Sequence, residues 1–161
     1  MLFSSSLLEN AVNEFSKLPG IGKKTALRLI LHLLKKDIQQ VSNLSESLLK
    51  MRRDIKFCKK CHNVADEELC KICNNFARKK NQICEVENIL DVMAIEATQQ
   101  FNDTYHVLGG IISPLDGIGP DQLQISSLLS RIESDQVVEM IMALSPTIEG
   151  DTTTYYIAKK M

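Results

Sequence analysis

The stretch CKKCHNVADEELCKIC sets the tightest limit on how this chain can fold. It places Cys58, Cys61, Cys70 and Cys73 as two Cys-x2-Cys pairs separated by eight residues. Each pair can sit on a tight knuckle whose thiolates converge, and two knuckles complete a tetrahedral four-sulfur cage for one zinc ion. Four protein ligands leave no open coordination position, so the metal expected here is structural. A segment this polar cannot fold on buried apolar surface alone, and metal binding supplies the missing stability. Disulfides are one rival, disfavoured in a reducing compartment. A redox-active Cys-x2-Cys is another, and finding two pairs weakens it. Iron in the same all-sulfur cage would show as colour. His62 is surplus to the ligand count, and Cys84 lies outside the spacing and reads as a packed strand residue.

The formal charge of −1 over 161 residues conceals a sharp division. Residues 1–80 carry 16 Lys and Arg against 8 Asp and Glu, whereas residues 81–161 carry 3 against 12. A basic half is what a polyanion would meet, and an acidic half would repel it. The competing explanation is two solvated surfaces of opposite sign that dock on each other. Lys56, Lys59, Lys60, Lys71, Arg78, Lys79 and Lys80 surround the cysteines and are expected to extend the basic surface.

Leu7, Leu8, Ala11, Val12 and Phe15 recur at helical spacing, which predicts a helix over 5–17. Leu18-Pro19-Gly20 ends it in a tight turn. A second helix, expected from Lys23 to Lys36, has apolar residues around most of its circumference and should be largely buried. Its polar residues Lys24, Arg28, His32 and Lys36 recur every four positions, so they form one stripe. Like charges so spaced cost a helix ~0.2–0.5 kcal/mol per pair, a cost that an anionic ligand would offset. If Gly20 and Gly22 let the backbone approach such a ligand, N–H groups at the start of the second helix favour phosphate, as does the helix dipole. Lys23, Lys24 and Arg28 would neutralise it. These residues resemble the helix-hairpin-helix motif, which grips the DNA backbone without reading bases; an ordinary helical hairpin with a glycine turn is the plainer alternative. The second Gly-Ile-Gly, in LDGIGPDQ, is flanked by Asp116 and Asp121 and reads as a loop needing special backbone angles. Asn43 and Glu46 read as a capping box opening a third helix that carries Leu48, Leu49 and Met51.

The start, MLFSSSLLEN, lacks the basic region and cleavage site of a secretory leader. No apolar run approaches the ~20 residues a bilayer needs. From residue 81 short apolar runs alternate with helical ones: strands at 83–86, 105–108 and 137–144, helices at 89–97 and 126–132, and a last helix capped by Asp151 and running through Ile157. Such alternation argues for a mainly parallel sheet flanked by helices.

In order along the chain, LPGIGKKTALR, the paired cysteines, ICEVEN, GGIISPLDGIGPD and SPTIEGD resemble the RecR family of bacterial recombination mediators, over essentially all 161 residues. The resemblance implies an α+β multidomain protein: a helical domain with a helix-hairpin-helix at 1–56, a four-cysteine zinc finger at 57–80 and a Toprim-like α/β domain at 81–161. It also implies a cytoplasmic DNA-repair factor that acts with RecO, and in some settings RecF, to help RecA replace single-strand-binding protein. Members of the family assemble into homo-oligomeric rings, typically tetramers, that can enclose DNA. Catalytic Toprim domains bind magnesium through a glutamate, matched here by Glu87, and an Asp-x-Asp pair, which falls here on Ser145-Pro146-Thr147. Hydroxyls cannot replace two carboxylates for a hard dication, so no catalysis is expected. A metal-dependent nuclease or primase-like activity using Glu87, Glu149 and Asp151 is the alternative, and an acidic edge there that binds RecO suits those residues better. The family usually continues past the position of Met161, which leaves ring closure and the sheet edge in question.

Overall fold

Ser5 opens the first helix, its hydroxyl accepting a hydrogen bond from the Leu8 amide at 3.4 Å. The structure, a computed structural model, describes residues 4–161. Residues 1–3, which begin the stretch MLFSSSLLEN, lie outside the described residues. The chain divides into two compact units, the first ending at Arg53 and the second running from Asp54 to Met161.

In the first unit, α1 (Ser6–Phe15) and α2 (Lys23–Leu34) form a hairpin. The Ile21 amide bonds the Leu18 carbonyl at 3.1 Å across Pro19 and Gly20, and Gly20 has φ +75°. Proline presets the first central position of such a turn and glycine accepts the left-handed second one. Val12, Ala26 and Ile30 are the buried centre, with Leu8, Phe15 and Leu33 packed around them. The expectation of a largely buried α2 does not hold, because Leu34 is 73% exposed and Leu31 is also open to solvent. Two partner helices would be needed to cover an apolar surface that wraps most of a helix, and among the described residues α1 is the one helix packed closely on α2.

The third helix, α3 (Ile38–Asp54), starts five residues before the expected capping box and buries none of its residues. Asn43 and Glu46 are interior positions: the Asn43 carbonyl accepts from the Gln39 amide at 2.9 Å and Glu46 from the Ser42 hydroxyl at 2.8 Å. Pairs four apart on a helix satisfy the same side chains that a cap would.

The second unit opens with a short antiparallel hairpin, β1 (Lys56–Phe57) with β2 (Val64–Ala65). Its centre is a parallel three-stranded sheet in which β3 (Gln82–Val86) lies between β4 (Thr104–Val107) and β5 (Glu139–Ala143). Helix α4 (Ile89–Thr98) begins in a capping box built by Asn88 and Asp91. It covers one face, over Cys84, Val86, Tyr105 and Val107. Helices α5 (Ile125–Ser134) and α6 (Ile148–Lys160) cover the other, where Ile83 and Leu108 meet Leu128 and Ile157. The second Gly-Ile-Gly is indeed a loop, closed by a bridge between Ser113 and Ile118 with Gly117 at φ +72°. Asp151 does not cap α6; the cap is Thr147, whose hydroxyl accepts from the Gly150 amide at 3.1 Å, and Asp151 sits in the first turn. Among the described residues no helix is long and apolar enough to cross a membrane.

Two residues of this core carry consequences for stability. Glu85 is 0% exposed, both carboxyl oxygens lack a hydrogen-bond partner, and burial pushes its pKa from 4.5 to about 7. Its register neighbour on β4 is His106, also fully buried. The Nε2 of His106 donates to the Gln124 carbonyl at 2.9 Å, which makes the orphaned Nδ1 an acceptor. The fold therefore favours the protonated acid. Stability from Glu85 is present below pH 4.5 and falls as pH rises through about 7, by on the order of 3 kcal/mol. Glu85→Gln, which keeps the volume but cannot ionise, should remove this decline in thermal unfolding followed from about pH 5 to about pH 8. Gly150 is the second position, since a Cβ there would lie 1.9 Å from the Ser145 carbonyl oxygen. Gly150→Ala must displace that backbone and should cost ~1–3 kcal/mol of unfolding free energy in denaturant titration.

Candidate metal centre and nucleic-acid interface

All four Sγ atoms of Cys58, Cys61, Cys70 and Cys73 lie within 4.8 Å of one another, and all four residues are buried. A tetrahedral cage with Zn–S bonds of about 2.3 Å requires sulfurs roughly 3.8 Å apart; Cys61 and Cys70 are at 3.5 Å. The knuckles are set by backbone. The His62 amide bonds the Cys58 carbonyl at 2.9 Å, the Asn74 amide bonds the Cys70 carbonyl at 3.0 Å, and the Cys73 amide points at the Cys70 sulfur at 3.4 Å. His62 takes the left-handed φ of +60° that the first knuckle needs. Hydrogen bonding from Cys61 and Cys73 holds the Cys70 thiol far below its ordinary range, and the contact with Cys70 pushes Cys61 far above it. A divalent cation is what would let all four ionise.

Three contacts tie this module to strand β4 and helix α5. The Cys61 carbonyl accepts from the Val107 amide at 2.9 Å. His62 Nε2 is 2.7 Å from the Ser127 hydroxyl, which itself donates to the Gln124 carbonyl at 3.0 Å, and the His62 and His106 rings meet edge to face. Lys60 pairs at 2.9 Å with Asp135, which also binds Arg131 at 3.1 Å. The surplus histidine is thus a tie between module and sheet. Removing the metal with a chelator should abolish amide protection at 58–73 and also lower it at Val107, readable by hydrogen exchange.

The basic surface expected around the cysteines is smaller than its residue count. Lys59 pairs with Glu68 at 2.6 Å, Lys60 with Asp135, and Arg78 with Glu96. Among the described residues Lys71, Lys79 and Lys80 form no ion pair.

At the hairpin, Gly20, Gly22, Lys23, Lys24 and Arg28 are all exposed. Gly22 is the N-cap of α2 with no side-chain cap, and the first turn holds no acid. Its φ is −78°, and a Cβ placed there would meet nothing within 4 Å. Lys24, Arg28 and His32 line one shallow depression with Lys35. Lys36 is not part of that stripe, because α2 ends at Leu34.

In the α/β region the Ser145 hydroxyl donates to the Glu87 carboxylate at 2.5 Å. Thr147 is committed to capping α6. Glu149 is half-buried and Asp151 exposed, both in the first turn of α6, where the helix dipole favours anions.

Family models match three consecutive parts of the chain: the RecR helix-hairpin-helix over residues 8–52, the RecR four-cysteine zinc finger domain over 55–75 and the Toprim domain over 81–161. Recombination protein RecR of Flavobacterium johnsoniae is 60% identical over the whole of this chain, which covers 78% of that relative. Its counterpart in Amoebophilus asiaticus is 57% identical, with 80% of the relative covered, and that of Phocaeicola vulgatus 55%, with 78% covered. The clustered thiols and the zinc finger match agree on one bound zinc ion. With identity at this level along its entire length, the chain belongs to the RecR family of recombination proteins, with a role in recombination and repair.

Proposed function

We propose that the chain is a non-catalytic DNA-binding subunit of a recombination mediator, built as a helical domain at 1–56, a zinc finger at 57–80 and an α/β domain at 81–161. It grips the phosphate backbone at Gly20, Gly22, Lys23, Lys24 and Arg28. The observation that carries this is Gly22. Its φ is one any residue adopts, and no neighbour crowds it. A glycine at that place is useful to something outside the chain that must come close to the amides of the α2 N-terminus. Lys24 and Arg28, one turn apart on α2, line one depression with His32.

Donor chemistry speaks against catalysis. In a magnesium-binding Toprim domain the positions of Ser145 and Thr147 carry carboxylates; here one hydroxyl is bound to Glu87 and the other caps a helix. Glu87, Glu149 and Asp151 then serve as an acidic edge for a protein partner, RecO in the first instance, with RecF in some settings. Leu44, Leu48, Leu49 and Met51 of α3 are exposed, which supports assembly into a homo-oligomeric ring around DNA. In this reading the ring works in the bacterial cytoplasm, helping RecA load on DNA coated by single-strand-binding protein.

Replacing Lys24 and Arg28 together by Ala tests the reading. Duplex affinity should weaken, and the slope of log K against log salt should flatten by about two units per engaged subunit, at ~0.9 per phosphate contact. An unchanged slope in a variant that still unfolds cooperatively would place the DNA elsewhere.

A further inference from the structure

The turn between the second knuckle and the sheet, NNFARKK, holds an aromatic ring in solvent. Phe76 is 89% exposed. A lone exposed ring means little by itself; what sets this one apart is how it is held. The Asn75 side chain accepts from the Ala77 amide at 2.9 Å, closing a local turn. On the knuckle side the Asn75 amide bonds the Ile72 carbonyl at 3.3 Å. On the sheet side the Arg78 guanidinium grips the Asp103 carbonyl at 3.0 Å and the Glu96 carboxylate, and the Lys79 amide bonds the Asn102 carbonyl at 3.1 Å. The ring is therefore carried on a turn fixed at both ends. Lys80 Nζ stands 5.3 Å from its centroid, within cation–π range, and Lys79 is exposed beside it.

We propose that Phe76, with Lys79 and Lys80, is a contact for single-stranded nucleic acid: an unpaired base stacks on the ring, and the adjoining phosphates meet the two ammonium groups. Stacking on an aromatic face is indifferent to base identity, and cations along the backbone complete such sites. Duplex is the poorer ligand because its base faces are already covered by neighbouring bases. Arg78 is excluded from the contact, since its charge is committed to Glu96. The inference rests on the DNA-binding reading above but uses residues outside the hairpin.

The chain contains no tryptophan, so Phe76→Trp introduces a single indole reporter at the turn. Titration with oligo(dT) should quench its emission, with affinity equal to that of the parent chain. Phe76→Ala should lower oligo(dT) affinity roughly tenfold while leaving the salt slope and the affinity for duplex of equal length unchanged. Lys79→Ala with Lys80→Ala should flatten the slope for oligo(dT). Thermal unfolding of each variant controls for folding, which an exposed ring should not disturb. Unaltered oligo(dT) binding by Phe76→Ala overturns the inference and spares the hairpin reading. So does an altered self-association with DNA binding intact, which would assign the ring to a protein contact. A parent chain that binds neither strand form overturns both.

Discussion

The hydrogen bond from the Val107 amide to the Cys61 carbonyl joins the two least self-sufficient parts of the second unit. A four-cysteine module has almost no apolar core, and a three-stranded sheet has two open edges. Each remedies the other's deficit. The metal fixes the knuckle, the knuckle presents a carbonyl at the height of the β4 edge, and the edge in turn gives the knuckle a rigid wall. His62 on Ser127 and Lys60 on Asp135 repeat the tie at two further points. Zinc thus acts beyond its ligands, through ordinary backbone and side-chain hydrogen bonds to the sheet.

The same region shows how charge is divided between structure and surface. Buried Arg131 bonds the Tyr105 carbonyl at 2.6 Å and the Thr104 hydroxyl at 2.8 Å, with Asp135 as counterion. Lys60 and Arg78 are likewise consumed by acids of the α/β region. Exposed pairs such as Lys59 with Glu68 add little to stability, but each removes a cation from any nucleic-acid surface. The acidic character of residues 81–161 is partly the answer to these cations, so within the second unit charges of the two signs interleave.

Much of the architecture is legible because its signals are local. Ligand spacing identifies the metal module, and a switch from helical to alternating apolar runs identifies the parallel sheet, whose strands shift by no more than two residues at either end. The pattern misleads where it has two causes. Asn43 and Glu46 stand three apart, as a capping box does, yet the helix has already begun at Ile38 and each side chain finds a neighbour four residues earlier. Asp151 resembles a cap, although Thr147, one turn earlier, is the residue with extended backbone. The circumference of α2 promises burial that a two-helix contact cannot provide. Glu85 and His106 are not legible as a buried pair, since only strand register sets them side by side. Phe76 leaves a faint signal, a single aromatic within a basic stretch, whose meaning depends on the turn that holds it.

The outward-facing backbone of β4 is partly engaged already: Arg131 occupies the Tyr105 carbonyl and the zinc knuckle occupies the Val107 amide. Residues of one strand that point their peptide groups away from the sheet do so at alternate positions, so these two contacts occupy one group on each of two successive outward-facing residues. Among the described residues β5 is therefore the less obstructed side for a neighbouring strand. The metal module therefore gives the sheet a polarity that its strands alone would lack.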